Sequence, residues 1–125
     1  MLKFEIGDIV RVDRFTYPDG RQGEHHNFVI IGINQDELKL IDLDYMCFII
    51  SSNTDKSNNV NPKYPFNEPI PASRETGLKR DGHVKCDELI EGIKKDRIIM
   101  HVGSVSQEQY DRFTELFWES LNSNL

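Results

Sequence analysis

The chain has 125 residues, a formal charge of −6, 38% hydrophobic residues and two cysteines. That length suits one domain over residues 1–125, since two cores of half the size would each bury too little surface. No apolar run approaches the roughly 20 residues that cross a bilayer, and the opening stretch lacks a signal peptide's long apolar region, so a cytoplasmic protein without membrane contact is expected.

Cys47 and Cys86 sit in apolar surroundings and read as reduced core thiols, with one buried disulfide as the alternative. The acidic balance bears on function too. Proteins that hold nucleic acid usually gain affinity by neutralising phosphates with a net basic surface. Such a role here requires a local basic face or few phosphate contacts.

Residues 7–12 form the first expected strand, with apolar character on both sides. Pro18-Asp19-Gly20 is a turn signal, in which proline presets φ and glycine permits the reversal. Residues 26–34 carry Phe28, Val29, Ile30, Ile31 and Ile33, a run that predicts a strand buried on both faces. Gln35-Asp36 suits a hairpin turn, residues 38–43 the returning strand and 45–50 the next, which together describe a meander.

Between 51 and 76 the chain is rich in Ser, Asn, Pro and Lys, and Pro62, Pro65, Pro69 and Pro71 exclude regular helix. A long surface loop is expected there, with Tyr64 and Phe66 available to pin it. Residues 83–86 read as a short strand, 87–93 as a strand end with a turn or one helical turn, and 98–102 as the last strand.

A C-terminal helix follows. Ser106 and Gln109 form a capping box, with Val105 and Tyr110 at the hydrophobic-staple positions. Tyr110, Phe113, Leu116, Phe117 and Leu121 share one helical face, and Glu108, Asp111, Glu115 and Glu119 lie mostly on the other. Trp118 suits either the edge of the core or a dimer contact.

Three segments, in order, resemble the MazF/PemK toxin family. Phe4-Glu5-Ile6-Gly7-Asp8-Ile9-Val10-Arg11-Val12 is similar to that family's GDIV-x-V first strand. The segment Gly23-Glu24-His25-His26-Asn27-Phe28-Val29-Ile30-Ile31 resembles its second strand, and residues 85–98 its late D-Q-I-R-T-I-D-K-x-R-L stretch. The resemblance implies a mainly β fold, an SH3-like barrel of the MazF/PemK type with a C-terminal α-helix. It also implies a homodimer that cuts single-stranded RNA without metal or cofactor and is silenced by a cognate antitoxin. The chain departs from the pattern where it matters chemically. His25 or His26 stands at the family's catalytic Arg, and Leu89 and Glu91 stand at the late Gln and Arg. A carboxylate there repels the phosphate that a guanidinium would clamp.

RNA cleavage by 2′-hydroxyl attack needs a base, an acid and groups that hold the phosphate. His25 and His26 are the candidate base and acid, because imidazole titrates near neutral pH. Ser51 and Ser52, at the family's hydroxyl position, can donate to a phosphate oxygen. Arg14 and Arg21 lie near the histidines in sequence, and Lys79-Arg80 and Lys94-Lys95 with Arg97 are the densest basic clusters. The plain reading of each is structural, with the histidines opening a strand and the basic pairs on solvated turns. His83-x-x-Cys86 has metal-ligand residue types, but alternation along a strand turns the two apart, so no metal site is expected. The competing function is a catalytically inactive barrel that binds a protein partner, favoured by the acidic charge and by Leu89 and Glu91.

Overall fold

The structure, a computed structural model, describes residues 4–14, 19–20, 25–34, 44–52 and 64–123. The expected strand at 38–43 and the candidate Arg21 lie outside the described residues. The elements are β1 (Asp8–Val12), β2 (His26–Ile33), β3 (Asp44–Ser52), β4 (Asn67–Ile70) and β5 (Gly82–Lys94). A 3-10 turn (Lys95–Arg97), β6 (Ile98–Ser104) and the helix α1 (Gln107–Ser123) complete them. The strands form one antiparallel sheet in the order β4-β5-β3-β2-β1-β6. This is the mainly β architecture with one C-terminal helix that the sequence implies.

The apolar run in β2 is buried on both sides, as its composition requires. Phe28 and Ile30 join Val10, Val12, Tyr45, Cys47, Ile49, Ile90 and Ile93 in one core. Val29 joins Ile9, Phe48, Ile50, Ile70, Val84 and Cys86 in a second core, which Phe113 and Leu116 of α1 cover. The cysteines are therefore in different cores, free and buried. Burial alone pushes the Cys47 thiol up to about 12.

The helix cap forms as the sequence predicts. The Gln109 N–H donates to Ser106 Oγ (3.1 Å), and the Ser106 N–H donates to Gln109 Oε1 (2.7 Å). Further along α1 the buried residue is Ser120, while Leu121 is exposed, so the apolar stripe ends a turn earlier than expected. Trp118 is 63% exposed.

Two expectations need correction. The segment 51–76 is not all loop, since β3 runs through Ser52 and β4 occupies Asn67–Ile70. Pro69 is compatible with β4 because that strand is an edge, where a missing N–H costs no ladder bond. The short strand at 83–86 is the start of the 13-residue β5, which carries through 87–93. Its pairing with β3 is interrupted, with Ile50 opposite Val84 but Phe48 opposite Leu89. The polar residues Asp87 and Glu88 occupy that irregularity and stay exposed. The pattern breaks where the strand bends from one core to the other.

Residues 71–81 connect edge strand β4 to β5 by crossing the opposite edge, β6. The Ser104 N–H donates to the Glu75 carbonyl (2.8 Å), and so ties the crossing segment to β6. The segment holds itself in shape through Thr76, whose Oγ1 accepts from the Ser73 N–H (3.1 Å) and donates to the Pro71 carbonyl (3.0 Å). At its base the Ala72 N–H donates to Asp81 Oδ1 (2.7 Å). Two glycines make the crossing possible. A Cβ on Gly77 would lie 2.0 Å from the Val102 carbonyl oxygen, and one on Gly103 would lie 2.2 Å from that of Thr76. The sheet's two edges are thereby brought round towards one another.

Candidate functional site

The closure at β6 builds a depression between the strand ends and the crossing segment. Arg11 comes from β1, Asn27 from β2, Ser51 and Ser52 from the end of β3, and Lys79 and Arg80 from the segment after Gly77. Met100, His101 and Val102 of β6 complete one wall. Arg11 stands opposite Asn27 in the β1–β2 register, and its Nε donates to Asn27 Oδ1 (3.3 Å). The cavity measures about 390 Å³, and among the described residues its lining has three cations, two serine hydroxyls and no carboxylate. In a chain of net charge −6 this is a local reversal of sign. A concave, carboxylate-free, cationic site concentrates an anion and supplies donors to its oxygens.

The structure brings together four of the sequence candidates, Ser51, Ser52, Lys79 and Arg80. Arg14 lines a different depression with Leu89, Glu91, Lys94 and Arg97. It is exposed, pairs with Asp13 (3.3 Å) and adopts φ 46, a conformation uncommon outside glycine. Arg97 donates to the carbonyls of Asp13 (3.2 Å) and Arg14 (2.9 Å), so it braces that turn. Lys94 pairs with Asp44 (2.7 Å).

Neither His25 nor His26 lines the cationic cavity. His25 is exposed and holds Asp13 at 3.2 Å. This contact is the next cross-strand rung after Arg11–Asn27, because residues 13 and 25 each lie two positions from that pair. His26 belongs to the other face of β2, where its ring meets Phe28 edge-on (centroids 5.9 Å). His101 lines the cavity but was no sequence candidate, and the other ionisable residue that sequence reading missed is Arg11. It lay inside a strand with apolar residues on both sides, and only the pairing with Asn27 marks its face as functional.

A second cluster adjoins the first. His83 is opposite Ser51 in the register and Lys85 opposite Asn67. Burial lowers the pKa of His26 from 6.5; a hydrogen bond with the Ile50 backbone partly offsets this, and the Lys85 charge lowers it further. Burial, then Lys85, lowers that of His83. Cys86 lies in the core beneath α1, on the face of β5 away from His83, so the H-x-x-C pair is split across the strand.

A pH dependence of stability follows. In the unfolded chain each histidine titrates near 6.5, above its folded value, so the unfolded state binds the extra protons. Stability is full above that pH and declines as pH falls below it. Thermal melts are expected to show a Tm drop between pH 7.5 and pH 5 that is smaller in a His26→Gln/His83→Gln variant. An equal drop in both proteins would contradict the assignment.

Comparison with known proteins gives the context for this site. No curated protein matches the chain in sequence. Among solved structures it is similar to an endoribonuclease in complex with its cognate antitoxin from a mycobacterial species. The TM-score is 0.62 at 15% identity, over 93% of this chain and 92% of that one. At that identity the likeness is one of fold. The sequence profile of the PemK-like, MazF-like toxins of type II toxin-antitoxin systems matches residues 5–120, and the chain belongs to that family.

Proposed function

We propose that the protein is a toxin endoribonuclease that cleaves single-stranded RNA by attack of a 2′-hydroxyl on the adjacent phosphate, without a metal. It acts as a cytoplasmic homodimer silenced by a cognate antitoxin. The observation that carries the reading is the cavity at the end of β3, where Arg11, Lys79, Arg80, Ser51 and Ser52 converge and no carboxylate lines the space among the described residues. Family membership supports it independently.

In this reading the scissile phosphodiester sits in the cavity. Arg11, Lys79 and Arg80 offset the negative charge that grows on the non-bridging oxygens, and the serine hydroxyls donate to them. The 2′-oxygen forms a bond to phosphorus as the bond to the 5′-oxygen breaks, leaving a 2′,3′-cyclic phosphate and a 5′-hydroxyl. One group must take the 2′ proton and another must protonate the departing oxygen. His25, held by Asp13 on the face of β2 that carries Asn27, serves one of these steps. His26 is the second sequence candidate but lies on the other face of β2, so His101, which lines the cavity, is the better placed candidate for the other step. Lys79 and Arg80 also hold the flanking backbone, and Arg14 and Arg21 are the candidates for contacts further along the RNA.

Incubating the purified protein with single-stranded RNA in the presence of EDTA is expected to yield cyclic-phosphate ends. A His25→Ala/His101→Gln variant is expected to lose about 100-fold or more in rate. Absence of cleavage by the wild type would refute the nuclease reading and favour an inactive interaction module. Undiminished cleavage by the variant would refute the histidine roles alone.

A further inference from the structure

Arg11 stands in the middle of a row of three residues across the sheet. Its partner on β2 is Asn27, and its partner on β6 is Met100. Directly opposed residues of antiparallel strands carry their side chains on one face, about 5 Å apart at Cβ. The Asn27 amide holds the guanidinium from one side (3.3 Å), and the Met100 side chain stands on the other. Met100 is 50% exposed and lines the cationic cavity. A thioether is a weak acceptor, so it leaves the outer N–H groups of Arg11 to the phosphate.

The other sulfur atoms among the described residues are withdrawn. Cys47 and Cys86 are buried. A cysteine reacts as its thiolate, and burial pushes the Cys47 thiol up to about 12 and the Cys86 thiol up as well. Met46 is half-buried, with its terminal methyl against Gly32. A small oxidant therefore meets Met100 first, and meets it inside the site.

We propose that Met100 is an oxidation switch on the phosphate site: a hydroperoxide converts its thioether to a sulfoxide, whose oxygen occupies the Arg11 N–H groups that would hold RNA. The sulfur lone pair attacks one oxygen of the peroxide, and an S–O bond forms as the O–O bond breaks. The departing oxygen takes the proton of the transferred one and leaves as water or an alcohol. Sulfur is oxidised by two electrons and the peroxide is reduced. The product is polar where the side chain was apolar, and its oxygen is a strong acceptor beside a guanidinium. Thiol-dependent reductases reverse the step, so the device is a switch and not a lesion. This adds a regulation to the proposed function and rests on it.

The test exposes the folded protein to graded hydrogen peroxide and follows sulfoxide at each methionine by peptide mass mapping. Binding is read by anisotropy with a fluorescein-labelled 2′-O-methyl uridine pentanucleotide, which cannot undergo 2′ attack, and the fold by circular dichroism. Met100 is expected to oxidise before Met46, and binding to weaken about 10- to 100-fold as it does, the cost of one lost charge-assisted partner. The two methionine sulfoxide reductases, one for each epimer, should restore it. Met100→Leu, whatever its starting affinity, should show no change on treatment. Met100→Gln, which sets a permanent carbonyl acceptor beside Arg11, should bind weakly without treatment. Oxidation of Met46 ahead of Met100, unchanged binding once Met100 is converted, or an equal loss in treated Met100→Leu would overturn the switch. The nuclease reading fails separately: if oxidation weakens binding but the all-ribose oligonucleotide is never cleaved by untreated protein, the switch stands and the catalytic role falls.

Discussion

Replacing Arg11 by alanine is expected to lower RNA cleavage by about 100- to 1,000-fold, the usual cost of removing one preorganised donor to a developing oxyanion. Arg11 is fixed before any substrate arrives, because its Nε is held by Asn27 (3.3 Å) on the neighbouring strand. A guanidinium so placed loses little freedom when it engages a phosphate, and its remaining N–H groups are free in geometry to do so in pairs. Arg11→Lys keeps the charge without the planar fork and is expected to recover only part of the rate. The fold should tolerate both changes, since Arg11 belongs to neither apolar core. Single-turnover cleavage with a thermal melt of each variant checks this. A wild-type rate for Arg11→Ala would show that the cavity at Ser51 and Ser52 is not where the phosphate reacts.

The largest effect on stability is expected from Gly77→Ala. Gly77 has φ +68, where a side chain is strained, and its added Cβ would fall 2.0 Å from the Val102 carbonyl oxygen. That oxygen belongs to β6 and cannot swing aside as a flexible side chain could. Left-handed strain costs about 1–3 kcal/mol and overpacking about 1–3 kcal/mol more, so a loss of roughly 2–6 kcal/mol is expected. For a domain of this size that lowers Tm by roughly 10 °C or more. Denaturant and thermal unfolding measure it directly. The same change displaces Lys79 and Arg80, two and three residues along, so cleavage should fall even at temperatures where the variant is folded. An unchanged Tm would mean that the 71–81 segment does not pack on β6 as described.

The parts of this protein that its sequence determines alone are those governed by local chemistry. The reciprocal bonds of Ser106 and Gln109 follow from residues three apart, so the helix start could be read without knowing its neighbours. The unbroken apolar run of β2 demanded partners on both faces, and two cores supply them. The serines at the end of β3 were legible too, through the resemblance to a family whose strand carries a hydroxyl there.

Tertiary structure alone decided the rest, because those features depend on pairings between distant segments. Pro69 reads as a helix- and sheet-breaker until its strand is known to be an edge. β5 reads as two fragments because its bend exposes Asp87 and Glu88 in mid-strand. Arg11 is one polar residue among apolar ones until β2 sets Asn27 against it, 16 positions away. Lys79 and Arg80 look like a solvated turn until Gly77 and Gly103 let the segment lie against β6. Spacing along a chain reports which face a residue occupies, but which residues share a cavity is fixed by where non-local strands meet.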